Sequence, residues 1–508
     1  MLNSRGNIFT PGFDLNLLMK HVCFILSMSL FLMSCNYIYD KSGINPGIGL
    51  IEIHSVPDNA LKIKINVQTT KATDVFVTYW KYINDSKEDS VVFYSALSKD
   101  NAYHKMILVN LNLNTKYFFR ITAKKGTRKK LSRTYSFETT HKLPWVPYFK
   151  TTDSLNNVKF DGYIHFHSRH TPGYLLITNG NGELCFYQKN DNIFKVSKWT
   201  DKNTLLGILS NDTLQFTNGK EIIEYDIYGD TIFELKTGEK RIEESFHHDI
   251  DLDKNGNIMV LVYDKRVVDL SSVGGNRNDT VKGDGVLILN HQGKKVWQWS
   301  VFDVMDPLDD KKILKSKNDW LHANSLFEDK DGNFILSFRN ISQVWKINRK
   351  SGKIIWKLGG IDSDFKIDDE AVFCGQHNVR ENALGEIVML DNGNQRFRPG
   401  YVQKMSSDVI FDVNKHSVSR LLTLSLDTVS MTAHISKVVP FPRRYFTHSQ
   451  GSAEYINDTL VVYCSTNTNR IVFTNNKGKL LGVMPLEYAS YREQYIKDLC
   501  DTGFVKNN

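Results

Sequence analysis

The chain has 508 residues, 41% of them hydrophobic and 24% charged, and its 64 Lys and Arg against 56 Asp and Glu leave a formal net charge of +8. Such a composition excludes a disordered, collagenous or multi-span membrane protein. The basic excess is spread along the chain rather than gathered in runs, so nucleic acid is not implied, although a basic pocket for an anionic substrate is compatible with it.

Behind Lys20, the apolar stretch from Val22 to Ser34 is too short for a stable membrane span but long enough for the hydrophobic region of an export signal. It ends in Leu32-Met-Ser-Cys35, which resembles a bacterial lipobox. That resemblance implies a lipoprotein signal peptide over residues 1–34, lipidation of Cys35, and an exported protein held in the periplasm or at the cell surface by its lipid. An uncleaved signal anchor is the alternative. Cys185, Cys374, Cys464 and Cys500 are too far apart to read as a disulfide framework or a zinc motif.

Residues 35–48 carry Gly, Pro, Asn and Ser and read as a tether. Across residues 49–141 the segments Leu61–Val67, Asp74–Trp80, Ser90–Tyr94, His104–Val109, Lys116–Thr122 and Thr134–Thr139 alternate or run apolar at strand length, which predicts a small β-sandwich. Its stretch from Leu111 to Thr122 resembles the tyrosine-corner region of fibronectin type III and immunoglobulin-like domains, with Tyr117 as the corner residue. From about residue 142 to 508 the rhythm changes to Asx/Gly turns followed by apolar strands, as in Lys254-Asn-Gly-Asn-Ile-Met-Val, Lys330-Asp-Gly-Asn-Phe-Ile-Leu and Leu384-Gly-Glu-Ile-Val-Met-Leu. Short antiparallel strands recurring at this spacing predict an all-β, six-bladed β-propeller. Residues 485–503, with Leu486, Tyr491 and Tyr495, also fit one amphipathic helix.

Aligning the repeats on their hairpin glycines brings histidines into register. His248 and His377 both stand eight positions before a turn glycine, Asn324 takes that place in the repeat between them with His322 two residues earlier, and His448 sits about as far before the Asn457-Asp458 turn. Corresponding positions in successive blades face one end of the central channel, so these side chains are expected to converge. Arg339, at the far end of the strand after Gly332, adds a permanent charge and a planar fork of N–H donors. Arg, neutral His and Asn suit a tetrahedral oxyanion, and a neutral imidazole needs no carboxylate to act as nucleophile. The alternative for any single histidine is a structural brace between blades. No pair has the close spacing with a carboxylate that marks common zinc or iron sites, so no metal and no cofactor are expected. Asp391 and Asn392 read as turn residues first and as supports for the site second, with Arg396 beside them. Tyr163, Tyr174 and Phe373 are candidates to flank an aryl ring, with core packing as their default role.

The motifs His247-His-Asp249, Asp319-Trp-Leu-His-Ala-Asn324, Ser337-Phe-Arg339, Lys353-Ile-Ile-Trp356, and Gln376-His377 followed by Leu390-Asp-Asn-Gly393 together resemble the bacterial arylsulfate sulfotransferase family over about residues 145–480. The resemblance implies a six-bladed propeller preceded by a small β-sandwich. It also implies ping-pong transfer of a sulfuryl group from a phenolic sulfate ester to a phenol, independent of nucleotide-activated sulfate, through a sulfohistidine. Carried over by motif, His377 is the nucleophile. His248 or its neighbour His247, His322, Asn324 and Arg339 form the sulfate-binding and transition-state-stabilising set, with Thr447 and His448 as further contributors from the last blades. His322 or His248 would protonate the departing phenolate. A dimer through the sandwich is implied by the resemblance alone. The rival reading is a non-catalytic surface propeller that binds a glycan or protein. A weaker third reading, a sulfatase-like hydrolase, lacks the formylglycine-type motif, since Cys374-Gly-Gln-His-Asn does not match it.

Overall fold

The computed structural model describes residues 47–83, 86–143, 145–147, 158–212, 218–394 and 418–499. The expected leader, Cys35, nearly all of the tether, Arg396 and Cys500 lie outside the described residues.

The Asx/Gly turns generate the repeat. The Asp253 carboxylate accepts from the N–H groups of Asn255 at 3.0 Å and Asn257 at 2.8 Å, and Asp329 and Asn382 cap their own turns in the same way. At the fourth position Gly256, Gly332 and Gly385 have φ of +79°, +79° and +82°, a region in which a side chain is strained. Each turn sends the following apolar strand back antiparallel to the one before it.

Six sheets of four or five strands result. The second to fourth blades run outward in chain order from Ile193–Trp199, Phe246–Leu252 and Ala323–Glu328; the fifth starts at His377–Glu381 and the sixth at Ala453–Tyr455. The first blade consists of Tyr163–Ser168, Gly173–Asn179 and Leu184–Asn190, and its innermost strand, Glu493–Ile496, comes from the far end of the chain. Glu493 pairs with Phe166 and Ile496 with Tyr163, which closes the ring. The amphipathic helix considered for residues 485–503 is therefore not what forms over 493–496. The apolar residues that fit a helical stripe go to different cores: Tyr491 packs with the second and third blades, Ile496 with the first and second.

The hydrophobic cores lie between blades. Trp299 of the third blade packs with Trp320, Leu336 and Trp345 of the fourth, and Trp356 and Leu358 of the fourth pack with Val379 and Met389 of the fifth. Neighbouring innermost strands also touch, and Arg380 ties the fifth blade to the sixth through the Ala453 carbonyl and Glu454, both at 3.1 Å.

Ahead of the propeller, seven strands are hydrogen-bonded into one sheet through the 25-residue strand Asn59–Ile83. The sequence predicts two strands there. The linking residues, Gln68-Thr-Thr-Lys-Ala-Thr73, contain no Gly, Pro or Asn to end the first, so the backbone stays extended and absorbs the bend as a register shift between Gln68 and Thr73. Its first half pairs with Ile48–Val56 and Ser98–Leu108, its second with Ser86–Tyr94 and Lys116–Lys125, around one core that includes Ile65, Val77 and Tyr117. The Tyr117 hydroxyl accepts from the Asn112 N–H at 2.8 Å. This unit rests on the first two blades: Asn59 Nδ2 donates to the Tyr187 carbonyl at 3.1 Å, and Lys62 Nζ to the Tyr228 carbonyl at 2.7 Å.

Ring closure by four residues gives a direct test. A chain truncated after Arg492 leaves the edge of Tyr163–Ser168 unpaired and the first blade without its inner strand. It is expected to lose cooperative thermal unfolding or to be recovered only as aggregate, as differential scanning calorimetry and size-exclusion chromatography would read.

Candidate active site

Bulges at the start of the inner strands aim the polar side chains. In the third blade His247 pairs with Leu261 and Ile250 with Val260, so His248 and Asp249 are extra residues, and His248 takes φ +53°. In the fourth, Asn324 is the extra residue between Ala323 and Ser325, and His322 just before it has φ +60°. In the fifth, an irregularity follows His377, and Asn378 has φ +51°. Left-handed backbone at residues with side chains costs on the order of 1 kcal/mol or more each, and such strain clusters at functional sites.

His248, His322 and His377 converge. The His248 and His322 rings lie 4.6 Å apart, and Tyr491 stands between blades with its ring 6.0 Å from His248 and 6.4 Å from His377. His377 is 1% exposed. Its Nδ1 faces two acceptors, Asn392 Oδ1 at 2.7 Å and the Gly375 carbonyl at 2.9 Å, and its Nε2 receives the Gln450 N–H at 3.2 Å. Those partners require Nδ1 to carry the hydrogen and Nε2 the lone pair. Asn392 is itself oriented, because its Nδ2 donates to the Thr447 and Gln450 carbonyls, both at 2.9 Å. Burial, and next the Arg339 charge, hold the His377 imidazole well below its ordinary pKa, so it is neutral.

Arg339 begins where Phe334–Phe338 ends, and its backbone N–H donates to the His322 carbonyl at 3.0 Å, which makes the two residues neighbours on the open side. Among the described residues its Nη1 reaches only Asn340 Oδ1, at 3.4 Å, and its buried Nε has no hydrogen-bond partner. His322 Nδ1 meets Asp319 Oδ2 at 2.5 Å. Burial raises the Asp319 carboxyl, but the His322 charge and hydrogen bond outweigh it and bring it down to about 2. Asp319 is held in turn by Asn340 Nδ2, which donates to its carbonyl at 2.7 Å.

Other residues singled out from the sequence stand elsewhere. His247 is behind His248, with Nδ1 2.8 Å from His248 Nδ1 and its ring stacked on Tyr263, so His248 is the one of the pair that faces the cluster. Asn324 is fully buried; its Nδ2 donates to the Gln376 carbonyl at 2.7 Å while its Oδ1 has no partner. Thr447 was expected to contact substrate. Its hydroxyl is instead engaged with Asn467 Oδ1 at 2.8 Å and the Ser449 carbonyl at 2.9 Å, and what it contributes is its own carbonyl, under Asn392. His448 is exposed at the rim, where burial and the Arg339 charge lower its pKa. Tyr174 and Phe373 are buried in blade cores, and the Tyr163 hydroxyl accepts from Asn110 at the junction with the first domain, so none of the three flanks the cluster. Cys185, Cys374 and Cys464 are buried. Among the described residues no three His, Cys, Asp or Glu side chains are arranged to hold a metal ion.

The sequence reading places Tyr491 on a helical stripe and does not single out Arg492. The Tyr491 hydroxyl is buried beside the Arg492 guanidinium, and burial pushes it up to about 12. Arg492 donates from Nη1 to Asp249 at 2.7 Å and from Nη2 to the Asn324 carbonyl, while the second Asp249 oxygen accepts the Leu326 N–H at 2.9 Å. The signal for them was an arginine next to a tyrosine at the start of the strand that closes the ring, and no repeat of that strand exists to align it with.

The fold and the site together define a six-bladed β-propeller enzyme with a buried imidazole cluster beside an arginine at one mouth of its channel. Residues 150–481 match the arylsulfotransferase (ASST) family, and the chain belongs to that family. Its activity is that of an arylsulfotransferase, a class whose donors are aryl sulfates and whose acceptors are phenols. No curated protein matches the chain. Among solved structures it is similar to a protein of unknown function from Bacteroides caccae (8% identity, 67% of this chain and 100% of that chain covered, TM-score 0.40). It is also similar to virginiamycin B lyase from Staphylococcus aureus (10% identity, 64% and 84% covered, TM-score 0.31) and YCF48 from Cyanidioschyzon merolae (9% identity, 67% and 88% covered, TM-score 0.31).

Two expectations follow from the buried charges. Burial lowers the pKa of His165, His167, His247, His248 and His377, so the unfolded chain binds more protons than the native one once the pH falls below the ordinary histidine value of about 6.5. Stability conferred by these groups is complete above that value and falls as the pH drops through it, by about 1.4 kcal/mol per pH unit for each net proton; Asp284 and Glu493, whose carboxyls burial raises, offset part of it. Urea unfolding between pH 7 and 5 measures the slope. Arg492→Met strands a buried Asp249 and is expected to cost about 3–5 kcal/mol, much of it recovered in the Asp249→Leu/Arg492→Met double variant.

Proposed function

We propose that the protein moves a sulfuryl group from a phenolic sulfate ester to a second phenol by a ping-pong mechanism, with His377 as the nucleophile. The observation that carries this reading is the hydrogen-bond assignment at His377, which leaves Nε2 with its lone pair, met only by the Gln450 N–H among the described residues, and places two acceptors on Nδ1–H. In the first half-reaction the S–O(aryl) bond breaks as an S–Nε2 bond forms, and the phenolate leaves with a proton from a neighbouring histidine. The ring keeps Nδ1–H and gains positive charge, which Asn392 Oδ1 and the Gly375 carbonyl stabilise. Charge spread over the three equatorial oxygens of the transferring group meets the Arg339 guanidinium and the imidazole N–H of His322 or His248. The second half-reaction reverses these steps with a new phenol. Tyr491, whose ring stands near those of His248 and His377, is a further hydroxyl donor for the same oxygens.

No nucleotide-activated sulfate, metal or other cofactor has a step in this scheme. The same reading takes residues 1–34 as leader, 35–48 as tether, 49–141 as sandwich and 142–508 as the catalytic propeller. The protein is then an exported lipoprotein, fixed to a bacterial membrane through Cys35 and able to pair through its first domain.

Peptide mass spectrometry after brief exposure to 4-nitrophenyl sulfate at mildly alkaline pH tests the mechanism. A sulfuryl adduct is expected on the peptide containing His377, discharged by added phenol and absent in His377→Ala, with turnover reduced by about 10³-fold or more. A folded protein that forms no adduct and releases no nitrophenolate from several aryl sulfates would favour the binding propeller instead.

A further inference from the structure

Beneath the histidine cluster lies a set of polar atoms that the reaction above leaves unused. Asp284, on the strand Asp279–Leu289 of the third blade, is 1% exposed, and Oδ1 stands 3.7 Å from His247 Nε2. Among the described residues neither carboxyl oxygen nor His247 Nε2 makes a hydrogen bond of ordinary length and angle, although the backbone N–H groups of Ala323 and His322 point at the carboxyl. On its other side His247 joins His248 through the Nδ1 to Nδ1 contact of 2.8 Å. One of those two nitrogens must carry the hydrogen and the other the lone pair. Which is which depends on Asp284 on one side and on the Val262 carbonyl, which also faces the His247 ring.

If Asp284 is protonated it donates to His247 Nε2, His247 Nδ1–H donates to His248 Nδ1, and His248 presents Nε2–H to the site. If Asp284 is ionised it accepts from His247 Nε2–H, His247 Nδ1 accepts from His248 Nδ1–H, and His248 presents a lone pair. We propose that Asp284, His247 and His248 form a proton relay in which Asp284 stores the proton between the two half-reactions. The proposal rests on the sulfuryl-transfer reading and names the group that serves as its acid and base. As the first aryl S–O bond breaks, His248 gives its Nε2 proton to the phenolate oxygen. His248 Nδ1 takes the proton of His247 Nδ1, His247 Nε2 takes that of Asp284, and Asp284 is left as a carboxylate. The incoming phenol gives its proton to His248 Nε2 and the three transfers run backward. Neither His247 nor His248 becomes an imidazolium or an imidazolate at either end point, which suits a buried site where burial disfavours charged histidines.

The groups facing Asp284 fit a stored proton. Burial, and then the Asp319 charge from the segment leading into the fourth blade, raise its carboxyl to about 8; Lys282 on its own strand and the backbone N–H groups of Ala323 and His322 oppose the shift. Hydrogen bonds of this kind shorten as a site closes on its substrate, so the 3.7 Å separation is within the range a free enzyme shows.

A relay of this kind matters only when the leaving group needs a proton, which a merely structural carboxyl would not detect. In Asp284→Asn, kcat/KM is expected to fall by about 10²-fold or more with phenyl sulfate but by less than about tenfold with 4-nitrophenyl sulfate, whose phenolate leaves unaided. His247→Phe cuts the relay at its middle while keeping an aromatic ring on Tyr263. It should give the same donor-selective loss, with no further loss in the double variant. Circular dichroism and thermal unfolding of each variant establish that it is folded, and either single variant suffices if the other is not. Equal losses with both donors, or no loss with phenyl sulfate, would overturn the relay while the sulfuryl adduct on His377 of the unaltered protein still stood. Absence of that adduct would overturn the relay together with the reading on which it rests.

Discussion

The ion pair between Arg492 and Asp249 is the contact on which the site depends. It joins the segment that closes the ring to the bulge of the third blade, and the same guanidinium holds the carbonyl of Asn324 in the fourth. A propeller has no hub; its blades touch only their neighbours, and the channel mouth is as precise as its closure. Here the closing strand brings Tyr491 and Arg492 into the mouth as it pairs with Tyr163–Ser168, so closure and assembly of the cluster are one event. A buried charge pair of this sort adds little net stability compared with an apolar pair, yet it punishes any misregistered closure by leaving a charge unpaired, which makes it a device of specificity.

The second constraint is the low dielectric around the imidazoles. Water would let each ring choose its tautomer; the interior does not, and every N–H and lone pair has to find its complement. Asn392 shows how this works. Its amide is oriented by two carbonyls, its oxygen therefore faces Nδ1 of His377, and Nε2 is left as the lone pair. The Gln450 N–H occupies that lone pair, and a substrate sulfuryl group takes its place in the proposed reaction. Local strain at His248, His322 and Gln450, all at positive φ, is the backbone cost of turning these groups toward one centre.

The division of labour is clear from where the charges are. Arg339 and His322 lie on the partly open side, next to one another through a strand-end hydrogen bond, while His248 and His377 are sealed below. Anion recognition is thus placed at the water boundary and nucleophilic chemistry in the dry interior, where a neutral imidazole is cheapest to keep.

The sequence by itself determined the blades and three of the converging side chains. Its Asx/Gly turns set a period, a period sets equivalent positions, and equivalent positions in a propeller face the same axis; His248, His322 and His377 follow from that logic, as does Arg339 at a strand end. The Thr447 hydroxyl is engaged within its own turn, and over residues 485–503 a helical stripe of Leu486, Tyr491 and Tyr495 masked a strand. That logic was blind to Arg492 and Asp284, and to the place of Tyr491 beside the histidines. None of these falls on a repeated motif, and each matters through a partner more than 30 positions away in the chain or across a blade boundary: Arg492 through Asp249, Asp284 through His247, Tyr491 through His248 and His377. Local periodicity is written in the order of residues, but the pairing of a buried charge is decided only when distant segments are brought within a few ångströms and water is excluded from between them.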